Sequence, residues 1–336
     1  MRSLVLAAKN APLLPEERSE LKTDPGEAIV KVYAAALNHR DVWIQKGQYA
    51  GLKYPITPGS DGAGVVASVG AAVDKEWIGR EVIINPSLHW GPRSSHQDQQ
   101  TFRILGLPDD GTFAEFVKVP VTSLVDRPAH LSFEEAAALP LAGLTAYRAL
   151  FTRAQLKRGE KVLITGIGGG VALFALQYAL AAGARPYVTS GSDDKLGRAL
   201  TLGAKGGANY HAANWVENLQ EMAGAFDVII DGAAGDGMNA LLNLCTPGGR
   251  LSFYGATQGN PSVVEARRIF WKQLNIFGST MGSPEDFKAM LAFVQEHKIR
   301  PVIDQVFSFG EGEKAMRRMD NAQQFGKIVI RIHEKA

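Results

Sequence analysis

Four of the seven residues in Gly166-Ile167-Gly168-Gly169-Gly170-Val171-Ala172 are glycine, and an apolar, β-branched run at 162–165 leads into them. Beyond them Val171, Phe174, Ala175, Tyr178 and Ala182 recur at helical spacing, and Gly183 is placed to close that helix. A glycine turn between strand and helix lets a pyrophosphate approach unpaired backbone N–H groups and the partial positive charge of the helix N-terminus. The glycines also permit the tight bend and the close helix–strand contact. The spacing does not fit G-x-G-x-x-G, because Val171 stands at the last place. It reads as G-x-x-G-x-x-A through Gly166, Gly169 and Ala172. A second apolar run at 187–189 completes a βαβ unit of about 30 residues. The chemistry offered by Gly166, Gly168, Gly169, Gly170 and Val171 is dinucleotide binding.

The end of the second strand bears on which dinucleotide. An NAD site usually carries an acid there to hold the ribose 2′-hydroxyl. Here the strand runs out into Thr189-Ser190-Gly191-Ser192, with Asp193, Asp194 and Lys195 following. Small hydroxyl residues and a lysine suit a 2′-phosphate better than a bare ribose. Ser190, Ser192 and Lys195 therefore point to NADPH, though Lys195 alone also reads as a solvated helix charge. Ser192 with its two acids also reads as a helix N-cap.

These residues need elements to hold them. The chain has 336 residues, too many for one ordinary core, so two domains are expected. Apolar residues make up 46% and charged ones 21%, with a net charge of +2, which gives no basic excess for nucleic acid. One cysteine, Cys245, excludes an internal disulfide and a cysteine-rich zinc site. The first residues lack an apolar core long enough for a signal peptide or membrane anchor, so a cytoplasmic protein is expected. Short strands at 4–8, 27–34, 64–69, 81–84 and 113–119 imply a β-rich domain, a partly closed barrel. A capping box at Ser132 and Glu135 opens a helix toward the βαβ unit. Alternation then continues with strands at 227–231, 250–255 and 274–278 around a helix at 237–245, giving six parallel strands in a doubly wound sheet. After a helix at 284–297, strands at 302–309 and 327–332 are expected to return to the first domain. The predicted division is 1–126 with 298–336 around a cofactor domain of 127–297, with the active site in the cleft between them.

Several stretches together resemble the medium-chain dehydrogenase/reductase superfamily, in particular its zinc-free quinone oxidoreductase and enoyl reductase branch. They are Ala36-Leu37-Asn38-His39-Arg40-Asp41, Pro58-Gly59-Ser60-Asp61-Gly62-Ala63-Gly64, Pro140-Leu141-Ala142-Gly143-Leu144-Thr145-Ala146-Tyr147, the glycine turn, and Gly326-Lys327-Ile328-Val329. The resemblance implies a GroES-like barrel plus a Rossmann domain, and a homodimer joined through the edges of the Rossmann sheets. It places Thr145 near the nicotinamide amide and Lys327 with the cofactor residues. It also sets Gly191, Lys195 and Tyr210 at the spacing of residues that surround a 2′-phosphate. Gly255, Phe277 and Ser279 end two parallel strands, on the edge where α/β ligands bind. Zinc-dependent members carry ligands where this chain has Asn38, Ser60 and Leu141, and leucine cannot bind a metal. The loop 86–110 has the length of the family's structural-zinc lobe without its cysteines. No metal is expected.

Without zinc, an alkoxide lacks its Lewis acid, and the easier chemistry is hydride delivery from NADPH to a quinone or to the β-carbon of an enone. Asn38 offers an amide N–H to a carbonyl or ribose hydroxyl, or caps backbone at the end of the strand over 28–36. Tyr49 matches a tyrosine that enoyl reductases use as proton donor, or packs as a lid, and His39 is the alternative donor. Asp41 and Asp61 read as structural, orienting nearby backbone or pairing with Arg40 or another cation. Trp43 and Trp90 either line a small-molecule pocket or pack in the seam. Two rival readings stand beside the reductase: an alcohol dehydrogenase using another metal, and an NADPH-binding sensor or structural protein without turnover.

Overall fold

The computed structural model describes residues 1–334, which fold into two units. The first is Met1–Ala142 together with the chain from Ser283 onward; the second is Gly143–Gly282.

The first unit is built on the ten-residue strand Glu27–Ala36, whose alanine and β-branched residues are almost all buried. One edge pairs antiparallel with Asp61–Val69, from Ala28 opposite Val69 to Ala36 opposite Asp61. At Gly64 the strands come so close that a β-carbon would lie 2.0 Å from the Lys31 carbonyl oxygen, so only glycine allows this pairing. The other edge is shared. Phe116–Pro120 takes its first half and Lys327–Arg331 its second. Register shifts between Ile29 and Val30 and between Val32 and Ala34 bend the strand. Ile303–Ser308 then adds parallel to Lys327–Arg331, so the C-terminal strands do return to the first unit. Helix Phe133–Ala138 packs on Glu27–Ala36 and Asp61–Val69, and helix Gly312–Asp320 packs on His39–Gln45. Leu4, Val30, Val32, Phe113, Met316 and Ile330 are among the residues of the core they enclose.

In the second unit six strands lie in the order Gly207–Asn209, Arg185–Ser190, Lys161–Ile164, Phe226–Asp231, Cys245–Phe253, Asn275–Gly278, every pair parallel. This is the expected doubly wound sheet. Val162, Leu163, Ile164, Val228, Ile229 and Ile230 are wholly buried, as strands covered on both faces require. Because all six run the same way, their C-terminal ends form one edge, which carries the glycine turn and the segments around Gly191, Gly232, Gly255 and Ser279.

The division between the units falls at 142/143 and 282/283, not at 126/127 and 297/298. The reason lies in the two flanking helices. Phe133–Ala138 covers the first unit's sheet, Glu135 there meets Arg300 at 2.7 Å, and the His130 ring lies 3.1 Å from the Ile299 carbonyl. Helix Pro284–Glu296 stays with the same unit. Among the described residues no helix is long and apolar enough to cross a membrane.

Candidate active site

On the second unit, the turn after Lys161–Ile164 has the backbone its glycines allow. Gly166 and Gly168 adopt φ of +66° and +117°, angles that side-chain-bearing residues avoid. Gly169 is the N-cap of helix Gly170–Ala181, and no side chain caps it. A β-carbon at Gly166 would meet nothing within 4 Å, and one at Gly169 only the Gly166 carbonyl at 3.8 Å. The first turn of the helix, with Gly170 and Val171, is thus open to an anion. Thr165 and Asp231 stiffen the floor: the Thr165 hydroxyl donates to Asp231 at 2.5 Å, and Asp231 accepts from the N–H groups of Ala233 and Ala234. Asp231 was not singled out by spacing, because its partner sits on the neighbouring strand.

The residues expected around a 2′-phosphate divide. Ser190 is buried, donates to the Ile167 carbonyl at 3.3 Å and accepts from Ser192 N–H at 3.2 Å. It holds the turn rather than facing a ligand. Ser192 caps helix Asp193–Thr201 by accepting from Lys195 N–H, as the capping alternative required. Of the other three, Tyr210 comes to Gly191 and Lys195 to Gly168. A methyl group at Gly191 would lie 2.8 Å from the Tyr210 hydroxyl, and one at Gly168 would lie 2.8 Å from Lys195 Cδ. The same point over Gly191 is 2.7 Å from Nε2 of His211, a residue the sequence reading missed.

Further along the edge, a β-carbon at Gly255 would lie 2.9 Å from the Gly232 carbonyl, so two strand ends meet backbone to backbone. Phe277 lies under the Arg153 guanidinium, 5.4 Å from the ring centre, and Arg153 donates to the Gly278 carbonyl. Ser279 is buried and its N–H donates to the Phe253 carbonyl. Thr145 is buried within helix Pro140–Tyr147. Cys245 is buried too, and burial pushes its thiol up to about 12, so it stays protonated and inert.

In the first unit a polar cluster is buried at the end of strand Glu27–Ala36, with Asn38 its most exposed member at 7%. Lys327 donates its three ammonium protons to the Leu37 carbonyl at 2.8 Å, Asn38 Oδ1 at 2.7 Å and Asp61 Oδ2 at 3.0 Å. That leaves none for a nicotinamide ribose, so the expected role of Lys327 at the cofactor is replaced by a buried ion pair. Asn38 Nδ2 donates to Asp61 at 2.9 Å, and Asp61 Oδ1 accepts from Leu141 N–H at 2.8 Å. Asn38 is the N-cap residue of helix His39–Gln45, but it is its backbone N–H that bonds to the Asp41 carboxylate, at 2.8 Å. The amide nitrogen carries a second N–H. Burial raises Asp41 to about 6, against the opposing pull of Arg40, Asn38 N–H and Lys327.

Arg40 does not pair with Asp61. Its Nη1 donates to Ser60 Oγ at 2.6 Å and to the Leu105 carbonyl at 2.8 Å. The guanidinium lies 5.0 Å from the centre of the Tyr49 ring, with Nε 3.4 Å from the Tyr49 hydroxyl. His39 points its ring toward Trp43, 6.1 Å away, and desolvation holds its pKa below the usual histidine value despite Asp320. Trp90 packs inside its own lobe, edge-on to Phe102, with its indole N–H on the Arg93 carbonyl. Asp98 orders that lobe by accepting from the N–H groups of Gln100 and Thr101. Among the described residues no three His, Cys, Asp or Glu side chains gather as a metal site.

Residues 24–129 match the family model of the alcohol dehydrogenase GroES-like domain, and residues 170–296 that of the zinc-binding dehydrogenase. The chain is 37% identical over 339 residues to a zinc-type alcohol dehydrogenase-like protein of Schizosaccharomyces pombe, covering 95% of this chain and 95% of the relative. It is 30% identical over 339 residues to an acryloyl-coenzyme A reductase of Metallosphaera sedula, covering 98% of this chain and 99% of the relative. A crystal structure of an NAD-dependent alcohol dehydrogenase superposes with a TM-score of 0.93 at 35% identity, covering 99% of this chain and 100% of the other. With both units matched and full-length relatives at this identity, the chain belongs to the medium-chain dehydrogenase/reductase superfamily and is an oxidoreductase of that family.

Proposed function

We propose that the protein is an NADPH-dependent, metal-independent reductase that delivers hydride to an α,β-unsaturated carbonyl compound or a quinone. The observation that carries this reading is the Lys327 ammonium lying on Asn38 and Asp61. Of the three positions where zinc-dependent members hold ligands, Asn38 bonds to a carboxylate and an ammonium, Ser60 accepts from Arg40, and Leu141 has an apolar side chain. Of the two carboxylates at hand, Asp61 is paired with the Lys327 ammonium and Asp41 is turned onto the Asn38 backbone N–H. This donor set does not fit a zinc ion. The likeness to a reductase of an unsaturated thioester supports the same acceptor class.

NADPH, when bound, supplies the hydride. The chain supplies the rest. The open turn at Gly166–Gly169 and the N-terminus of helix Gly170–Ala181 receive the pyrophosphate. Lys195 and Tyr210 face the 2′-phosphate. The second N–H of Asn38 polarises the acceptor carbonyl. The Tyr49 hydroxyl would give its proton to the α-carbon of an unsaturated carbonyl acceptor, and the adjacent Arg40 N–H, 3.4 Å from that oxygen, would stabilise the charge left on it. We also propose a homodimer, joined through the edge strand Asn275–Gly278, which has a single neighbour in its sheet.

A second reading is alcohol–carbonyl interconversion with NAD, favoured by the structure of the NAD-dependent alcohol dehydrogenase at 35% identity. Chelator-treated protein separates the two. NADPH and NADH consumption is followed with 2-enals, enones, enoyl thioesters and quinones, with and without added zinc. Turnover preferring NADPH without metal supports the first reading. Activity on alcohols with NAD that returns only with zinc would sink it, and silence throughout would favour a binding protein.

A further inference from the structure

We infer that His211 is a specificity-determining residue of the cofactor site, reading the 2′-phosphate alongside Lys195 and Tyr210. This rests on the NADPH reading above and extends it to a residue outside the expected triplet. Its Nε2 and the Tyr210 hydroxyl lie 2.7 and 2.8 Å from the position a Gly191 β-carbon would take, so both polar tips aim at the one residue kept without a side chain. Lys195, from helix Asp193–Thr201, lies across Gly168 in the adjoining turn, which the Ser190 hydroxyl and the Thr189 carbonyl tie to the same strand end through Ile167.

The placement of the imidazole is built. The His211 backbone N–H donates to Asn209 Oδ1 at 3.0 Å, and the ring packs against Tyr210 at 4.7 Å between centres. Asn209 uses its amide nitrogen to hold Asp193 Oδ1 at 2.9 Å, which ties one of the two nearby carboxylates back to the strand end. Asp194 is exposed in the first turn of its helix. The His211 side chain is itself exposed, so it fills no core position that would explain where it points. A phosphate monoester presents three strong acceptor oxygens. An ammonium, a phenol hydroxyl and an imidazole N–H from three residues answer them, whereas a bare ribose hydroxyl would use at most one or two of these groups.

The test measures NADPH, NADH and adenosine 2′,5′-bisphosphate dissociation constants for the wild-type protein and for His211→Gln, His211→Arg and Lys195→Ala. His211→Gln should weaken NADPH and the bisphosphate by roughly tenfold, the size of one lost charge-assisted contact. NADH binding should be unchanged, and His211→Arg should keep the wild-type preference. An unchanged NADPH-to-NADH ratio in His211→Gln, with a fall in Lys195→Ala, would overturn the role of His211 and leave the NADPH reading standing. A wild-type protein that binds NADH as tightly as NADPH and ignores the bisphosphate would remove both.

Discussion

Two side chains of the first unit compete for the proton that reduction of an unsaturated carbonyl requires, and their surroundings separate them. Tyr49 keeps its hydroxyl beside the Arg40 guanidinium, while His39 is held below the usual histidine pKa by desolvation and is neutral at pH 7. Tyr49→Phe should lower kcat by about 100-fold, the lower end for a lost general acid, with little change in KM. His39→Gln should stay within about twofold, since an imidazole already neutral has no ionic proton to lose; steady-state kinetics on the best acceptor decides between them. Asp41 makes a prediction about stability instead. Native Asp41 holds its proton up to about pH 6 against an ordinary 3.8. The folded state therefore binds more protons than the unfolded one in that window. Stability should fall as pH rises from 3.8 to about 6 and level off above it, by about 3 kcal/mol for a shift of this size. Asp41→Asn should flatten that dependence in urea melts taken across the window. Asn38 and Tyr49 were nameable from sequence, because a motif and a spacing carried them. That Lys327 ends on Asn38, 289 residues away, was not, since nothing along the chain encodes which buried carboxylate a distant lysine will meet.

The glycine turn was readable because each of its features is local: an apolar strand, residues that tolerate positive φ, and a helical period after them. Gly168→Ala tests how much of the site depends on it. At φ +117° an alanine is strained, and its methyl would push Lys195 aside. A loss of roughly 1–3 kcal/mol in stability is expected, together with weaker NADPH binding, read by thermal melts and cofactor titration. The six parallel strands were legible for a similar reason, apart from the shortest. Gly207–Asn209 has no apolar run and exists by pairing with Arg185–Ser190. Helix Gly312–Asp320 was also hidden, because its charged residues outnumber Ala315, Met316 and Met319, which alone are aimed at the core. The six-residue π-helical turn Arg148–Arg153 follows no period that a search for helices or strands would notice. His211 escaped because an exposed histidine beside a tyrosine has no motif spacing to Gly191; only the parallel pairing of Gly207–Asn209 with Arg185–Ser190 brings the two strand ends level.

At the scale of the molecule, the edge of the second unit's sheet bears on assembly. Near strand Asn275–Gly278, the segment that leads into it exposes Val263, Phe270 and Trp271, the last at 77%. Exposed apolar side chains in the segment that precedes an edge strand suit a second copy of the chain. Trp271→Asp should shift the protein from dimer to monomer in size-exclusion chromatography with light scattering, and a wild-type monomer would overturn the proposal. The first unit has a different dependence, set by the order in which its parts are made. Asp61 leaves the ribosome early and Lys327 near the end. Until the last strand arrives, Asp61 has no cation, and the Ala34–Ala36 stretch of the long strand has an open edge. The second unit waits for no strand outside its own span, and most of its strands pair with a neighbour in sequence. Completion is therefore staggered: every strand of the second unit precedes Ile303–Ser308 and Lys327–Arg331, which the first unit needs to cover the Ala34–Ala36 edge and to give Asp61 its cation.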